Sequence, residues 1–271
     1  VRMDDTREVL DVNVKGSFKD GVRNTTTVAT VGDRVHVERY TEGGGLIVGI
    51  VPRTSVLSRP DPFQRHLQDV IVANLNQLVI AGSLGGPAFW HELVDRYLVY
   101  AEYYQIEPLI VVNKVDLASD EEIGDIVKLY REQLGYRVLF TSTVTGEGVQ
   151  ELRELMGPRW NVVAGLSGVG KSSLLNAIQE GLNLNTGETS NFFGGDGQHT
   201  TTTTTLYPLA GGGYVADTPG IRGFGLWDIE PAELDYYFRD FRVLLGNCKF
   251  SDCTHHQEPK CAIRQAVEDG A

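Results

Sequence analysis

Gly165-Leu166-Ser167-Gly168-Val169-Gly170-Lys171-Ser172, continued by Ser173-Leu174-Leu175-Asn176, is the stretch whose reading decides the fold. It follows the pattern of a glycine, four residues and then Gly-Lys-Ser. Apolar Val162-Val163-Ala164 before it reads as a strand, and residues 172–179 read as a helix. Strand, glycine-rich turn and helix are the context a phosphate-binding loop needs. The glycines let backbone N–H groups turn inward at a helix N-terminus, where the helix dipole favours negative charge. Lys171 is then placed to reach β- and γ-phosphates and Ser172 to set its hydroxyl on Mg²⁺. Leu166, Ser167, Val169 and Ser173 complete the expected phosphate-binding set.

Upstream, strand and helix patterns alternate. Residues 70–73 and 77–81 read as strands and 89–105 as a helix. Residues 109–112 form a buried strand, 121–134 a helix, 138–140 a strand and 149–156 a helix. Such alternation implies a parallel α/β sheet with its sites at the carboxyl ends of the strands. The helix carries Tyr97, Tyr100, Tyr103 and Tyr104, an aromatic stretch that invites base stacking but at helical spacing reads rather as packing on that sheet. At the end of the buried strand stands Asn113-Lys114-Val115-Asp116. Asp116 there can accept hydrogen bonds from guanine N1–H and the exocyclic amine, a donor pair that adenine does not present. Asn113 can tie the base loop to the phosphate loop, and the Lys114 stem can cover the base face. With the phosphate loop, this makes GTP or GDP the expected nucleotide. Thr141-Ser142-Thr143, after the next strand, is where a backbone N–H would meet the guanine oxygen.

Downstream, residues 184–205 are polar and glycine-rich and end in Thr200 to Thr205. One of these threonines, with Thr201 as the candidate, is placed to reach Mg²⁺ and the γ-phosphate. Tyr214-Val215-Ala216-Asp217-Thr218-Pro219-Gly220 reads as a strand ending in an acid, with Asp217 holding Mg²⁺ through water and the Gly220 N–H sensing the γ-phosphate. The next residue is Ile221, where a familiar GTPase has a glutamine to orient the attacking water, and isoleucine has no group for that task. His199, beside the threonine run, is the catalytic candidate, because a neutral imidazole can accept a hydrogen bond from water.

Three cysteines all fall between positions 248 and 261. Cys248, Cys253, His255 and Cys261 offer three thiolates and one imidazole, a set that suits a closed, structural tetrahedral Zn²⁺ site, with His256 as an alternative ligand. So short a segment has little core of its own, so metal binding should be coupled to its folding. At the other end, residues 1–52 carry short alternating apolar pieces at 8–12, 27–37 and 46–51 separated by Gly, Asn and Asp turns, which read as a small β-barrel of roughly five strands at most. Lys15, Lys19, Arg23 and Arg53 in its loops can touch phosphate. Residues 52–62, with three prolines, read as a linker.

The expected fold is therefore multi-domain α/β. An all-β OB-like barrel occupies 1–58, a P-loop GTPase α/β domain 63–228 and a zinc-binding module 229–271. The net charge of −12 argues against bulk electrostatic capture of nucleic acid, so any RNA contact is local. No apolar run approaches a membrane span, and the start lacks the apolar core of a signal peptide, which reads as a cytoplasmic protein, taken as a monomer. In an ordinary small GTPase the phosphate loop precedes the guanine motif. Here Asn113 to Asp116 come first, so the GTPase domain reads as circularly permuted, an arrangement compact domains tolerate.

This order, between a barrel and a zinc module, resembles the RsgA (YjeQ) family of small-ribosomal-subunit biogenesis GTPases. The resemblance covers nearly the whole chain and rests on the motifs quoted above, on Gln198-His199-Thr200-Thr201-Thr202, and on Asp252-Cys253-Thr254-His255 with Glu258-Pro259. It implies an OB-type barrel, a late assembly role on the small subunit and its 16S-type rRNA, and GTP hydrolysis that is weak alone and stimulated by that subunit. It also implies that His199 takes part in hydrolysis. Where the family usually has an arginine before the switch histidine, this chain has Gln198. Two rival readings stand beside it: an RNA-binding GTP switch with negligible turnover, and a P-loop ATPase of another pathway.

Overall fold

This computed structural model describes residues 1–3, 8–15, 28–41, 43–60, 67–182, 184, 205–217 and 229–270. Three short strands open the chain: β1 (Val12–Val14), β2 (Val35–Arg39) and β3 (Gly45–Ile50). They form a sheet in the order β1-β3-β2, with β1 parallel and β2 antiparallel to β3. The expected strand at 8–12 narrows to an isolated bridge between Arg2 and Val9. The one at 27–37 begins only at Val35, because Gly32 sits at φ +91° and Asp33 folds back to accept from Thr30 N, which breaks the run. Arg53 is engaged in a bidentate pair with Asp33, both bonds at 2.7 Å and the acid side chain 1 % exposed. That bond braces the sheet and removes Arg53 from the set of solvated phosphate contacts.

Residues 52–62 are not a plain linker. β4 (Val56–Pro60) pairs antiparallel with β5 (Gln68–Ala73), and Leu57 is 1 % exposed. Pro60 ends the strand, where a missing N–H removes little from the ladder, so the prolines bound the element without preventing it.

The central sheet has six strands: β6 (Gln77–Ser83), β7 (Glu107–Asn113), β8 (Arg137–Thr141), β9 (Trp160–Ala164), β10 (Thr205–Pro208) and β11 (Tyr214–Asp217). Their order is β10-β11-β9-β6-β7-β8, and every neighbouring pair is parallel except β10 with β11. β10 lies at the end of this sheet among the described residues; only its first residue, Thr205, falls in the stretch read as a polar loop. The helices between strands are α1 (His91–Tyr104), α2 (Asp120–Ile126), α3 (Val149–Met156) and α4 (Lys171–Ile178). α2 starts on a Ser119–Glu122 capping box and runs on into a π-helical stretch, Val127–Gln133, so the helix expected at 121–134 changes register halfway.

Side chains alternate across the sheet and fill two apolar cores. Ile80, Ile110, Val112 and Val162 pack with Tyr97, Leu98 and Tyr100 of α1 and with Tyr130, while Val79, Leu109, Val111 and Val163 pack with Leu152 and Met156 of α3 and Leu174 and Leu175 of α4. Tyr97 and Tyr100 are core residues, as their helical spacing suggests. Each fully buried aliphatic side chain contributes about 1.5–3 kcal/mol. The two layers make the sheet a rigid platform, and the parallel strands put the turns after β6, β7, β8, β9 and β11 on one edge.

Residues 229–270 add a 3₁₀ turn at Leu234–Tyr237, α5 (Arg239–Arg242) and α6 (Ala262–Glu268). They dock on α1. Tyr237 meets Tyr103 edge-on at 5.3 Å, Arg239 Nε and Arg242 Nη2 donate to the two oxygens of Glu102 at 2.7 and 2.8 Å, and the Arg239 guanidinium lies 3.8 Å from the Tyr136 ring centroid. Among the described residues no helix is long and apolar enough to cross a membrane.

Candidate functional site

The turn from β9 into α4 is built by glycines where only glycine fits. Gly165 has φ +142°, and a Cβ on it would stand well inside 3.0 Å of the Ala81 carbonyl oxygen. Gly170, the residue capping α4, has φ +96°, and its Cβ would collide with Asn113 Nδ2. The loop therefore lies flat against β6 and against the end of β7, leaving a concave backbone at the helix N-terminus. Lys171 and Ser172, the first two residues of α4, are each 6 % exposed. Lys171 Nζ donates to Gly165 O at 2.9 Å and Leu166 O at 2.5 Å, which folds the ammonium over the loop. Val169 turns into the core at 2 % exposure and anchors the loop's middle. From α3, Arg153 donates to Ile178 O at 2.9 Å and Ala177 O at 3.0 Å, capping the far end of α4.

The second part sits one strand beyond β6. Asn113, 1 % exposed, ends β7 and donates through Nδ2 to Val169 O at 2.9 Å, while its Oδ1 accepts from Thr141 Oγ1 at 3.2 Å. The carboxyl ends of β7, β8 and β9 are thereby cross-linked by one side chain. Lys114 sits at φ +64° and its ammonium bonds Gly86 O, in the turn after β6. Val115 is buried, and Asp116 lies exposed on the 3₁₀ turn Val115–Leu117, open to a ligand. Ser142 is fully buried; its Oγ accepts from the amides of Val144 and Thr145 at 3.2 and 3.1 Å, and its own N–H goes to Glu147 O at 3.0 Å. Ser142 therefore shapes the loop, and its N–H already has a protein acceptor.

β11 runs parallel to β9 and ends at Asp217, on the same sheet edge as the phosphate loop. Asp217 is described by its backbone alone. His199, Thr201, Gly220 and Ile221 lie outside the described residues. Two contributors had no local signal in the sequence. Thr141 reaches Asn113 across a strand. Tyr97, whose hydroxyl burial pushes up to about 12, is hydrogen-bonded to the Gly165 backbone from α1. Thr141 is 28 residues from its partner in the chain, and Tyr97 stood among residues that read as core.

Away from this edge, Cys248, Cys253, His255 and Cys261 bring one ligand atom each to within 4.8 Å of one another. Cys248 Sγ is 3.9 Å from Cys261 Sγ, and His255 Nδ1 is 3.6 and 3.3 Å from those sulfurs. Four ligands at Zn–S distances of about 2.3 Å stand roughly 3.7 Å apart in a tetrahedron, so the donor set fits a zinc-sized ion. Burial pushes the Cys261 thiol up, but the Arg264 N–H and His255 outweigh it and bring it down to about 7, whereas desolvation holds the Cys253 thiol up at about 11. His256 is exposed and stands outside the cluster.

A glycine-built phosphate loop and an Asn-Lys-x-Asp turn, joined on one parallel sheet in inverted chain order, define a P-loop nucleotide-binding protein of permuted type. The RsgA GTPase family model matches residues 50–227, and the chain belongs to that family of GTPases. A small ribosomal subunit biogenesis GTPase RsgA of Bacteroides fragilis is 38% identical over 269 residues, spanning 98% of this chain and 86% of that protein. RsgA 1 of Vibrio vulnificus is 44% identical over 260 residues, 94% of this chain and 72% of the relative. Among solved structures, YjeQ from Thermotoga maritima superposes with a TM-score of 0.74 at 34% identity, covering 98% of this chain and 86% of that one. YloQ, described as a circularly permuted GTPase, gives 0.70 at 33%, covering 98% and 82%.

Proposed function

We propose that this GTPase acts in late maturation of the small (30S) ribosomal subunit; the names of its relatives carry small ribosomal subunit biogenesis. The observation that carries the nucleotide half of the reading is the bond from Asn113 Nδ2 to Val169 O, which makes the base turn and the phosphate loop one rigid unit. In this reading the backbone of Gly165 to Ser173 wraps the phosphates and Lys171 neutralises the β- and γ-groups. Asp116 reads guanine, Lys114 and Val115 flank the base, and an amide of the Ser142 turn meets the guanine oxygen. Ser172, Thr201 and Asp217 hold Mg²⁺, and Gly220 senses the γ-phosphate. Mg²⁺, when bound, offsets charge on the transferred and leaving groups. His199 orients the attacking water, because Ile221 has no group to do so.

Cys248, Cys253, His255 and Cys261 are assigned to one structural Zn²⁺. The chain is read as three units, an OB-like barrel at 1–58, the GTPase at 63–228 and the zinc module at 229–271. β4 crosses the first boundary and pairs with β5. The two outer units are assigned local contacts with 16S-type rRNA, and the protein is taken as a cytoplasmic monomer.

The test is GTP turnover by the purified protein with and without ribosomal subunits. A rise of about tenfold or more is expected with small subunits alone, and it should shrink as salt screens the RNA contacts. No rise with either subunit would remove the partner. Ile221 supports a second reading, a GTP-dependent RNA-binding switch with negligible turnover. His199→Ala separates the two: lost turnover with retained GTP affinity supports catalysis, and unchanged turnover removes His199 from it.

A further inference from the structure

Metal-binding imidazoles ligate through one nitrogen and donate a proton from the other, and the acceptor of that proton fixes tautomer and ring orientation. In the Cys/His cluster the two nitrogens of His255 face different partners. Nδ1 points at the sulfurs of Cys248 and Cys261, while Nε2 lies 3.0 Å from Asp235 Oδ2. The backbone of His255 is in the left-handed region at φ +63°, a conformation unfavourable for a residue with a side chain. The local chain therefore does not favour this placement, and contacts from elsewhere must hold it.

Those contacts come from the segment twenty residues upstream. Asp235 stands on the 3₁₀ turn Leu234–Tyr237, and the ring of Phe241 meets His255 edge-on at 6.4 Å. The same segment is fixed to the GTPase body: Tyr237 packs on Tyr103, and Arg239 and Arg242 grip Glu102.

We propose that Asp235 is a positioning residue for metal binding, orienting the His255 imidazole so that Nδ1 faces the thiols, and that this bond fastens the loaded cluster to the turn held by α1. The inference rests on reading the cluster as a zinc site.

Zn²⁺ titrated into the chelator-stripped full chain, in competition with a chromogenic chelator, tests it on wild type, Asp235→Asn and Asp235→Leu. Guanine-nucleotide affinity, measured in parallel, stays at the wild-type value in each variant and reports that the sheet is folded. Asp235→Leu, with the same branching and heavy-atom count but no acceptor, lowers zinc affinity by about 10–100-fold. Asp235→Asn keeps an acceptor oxygen and loses clearly less. Wild-type affinity in the leucine variant overturns the proposal, and so does an equal loss in both variants, which would leave orientation by the hydrogen bond no role. A wild-type chain that takes up no zinc overturns the zinc-site reading together with the inference.

Discussion

At the scale of single residues, Asn113 and Asp116 stand three positions apart in opposite environments. Asn113 is 1 % exposed with both ends of its amide bonded inside the protein, whereas Asp116 is exposed. Removing Asn113 leaves Val169 O and Thr141 Oγ1 without that partner in a buried place. Asn113→Ala is therefore expected to lower stability by about 1–3 kcal/mol and nucleotide affinity with it. Asp116→Asn should leave stability within about 0.5 kcal/mol and lower GTP affinity by about 100-fold or more, because a site built to accept from guanine then presents a donor. Denaturant titration and fluorescent-nucleotide binding on the two variants check this; equal stability losses would mean the structural and ligand roles are not divided in this way. The tie that Asn113 makes to the phosphate loop was legible in the sequence because the motif is local. Thr141 was not marked as the partner of Asn113, since their bond spans strands, and Tyr97 declared only its hydrophobic spacing.

At the scale of elements, the C-terminal segment is attached to α1 chiefly through Glu102. Burial raises the carboxyl's pKa, but the hydrogen bonds from Arg242 and Arg239 outweigh it and hold Glu102 below the usual carboxylate range. A carboxyl depressed in this way contributes stability that is complete above its unfolded value of about 4.3 and is lost as pH falls through the lower folded value. Glu102→Gln keeps the shape and leaves two guanidinium groups without a counter-charge, so it should cost about 1–3 kcal/mol at pH 7. The gap between variant and wild type should close as acid protonates Glu102 in the wild type. Urea titrations from pH 7 into acid measure it, and a gap that stays constant would show that the charge is not what holds the segment. No sequence spacing announces a pair 137 residues apart, and in the sequence Glu102, Arg239 and Arg242 look like ordinary solvated charges. The elements that were legible, β6, β7, β9 and α1, have long apolar or helical periods. β4, read as a linker, is short and was hidden among prolines, and β10, beyond the threonine run, carried no reading of its own.

Across the whole molecule, inverting the chain order leaves the spatial order of the site intact. β7 with the base turn and β9 with the phosphate loop both flank β6, and this adjacency does not depend on which strand comes first in the chain. The motif order made the permutation visible in the sequence, whereas the docking of residues 229–270 needed coordinates. That segment shows no strand among its described residues, its α-helices are four and seven residues long, and its buried apolar side chains are Ile229, Cys261 and Ile263, one of them in the Cys/His cluster. Too little area is buried there to offset the ordering of the chain, whereas the sheet has a full core on each face. On the proposed zinc reading, in which the ion supplies the core that this segment lacks, stripping the metal should unfold residues near the cluster and spare the sheet. Hydrogen exchange on stripped and loaded protein reads this directly. The amides of Lys249 and Gln265, which bond to Lys260 O and Cys261 O, should lose protection, while those of Ile110 and Val163 keep theirs. Loss at all four sites would make the metal a support of the whole fold, and loss at none would mean that the Glu102 clamp and the Tyr103–Tyr237 contact hold the segment without it.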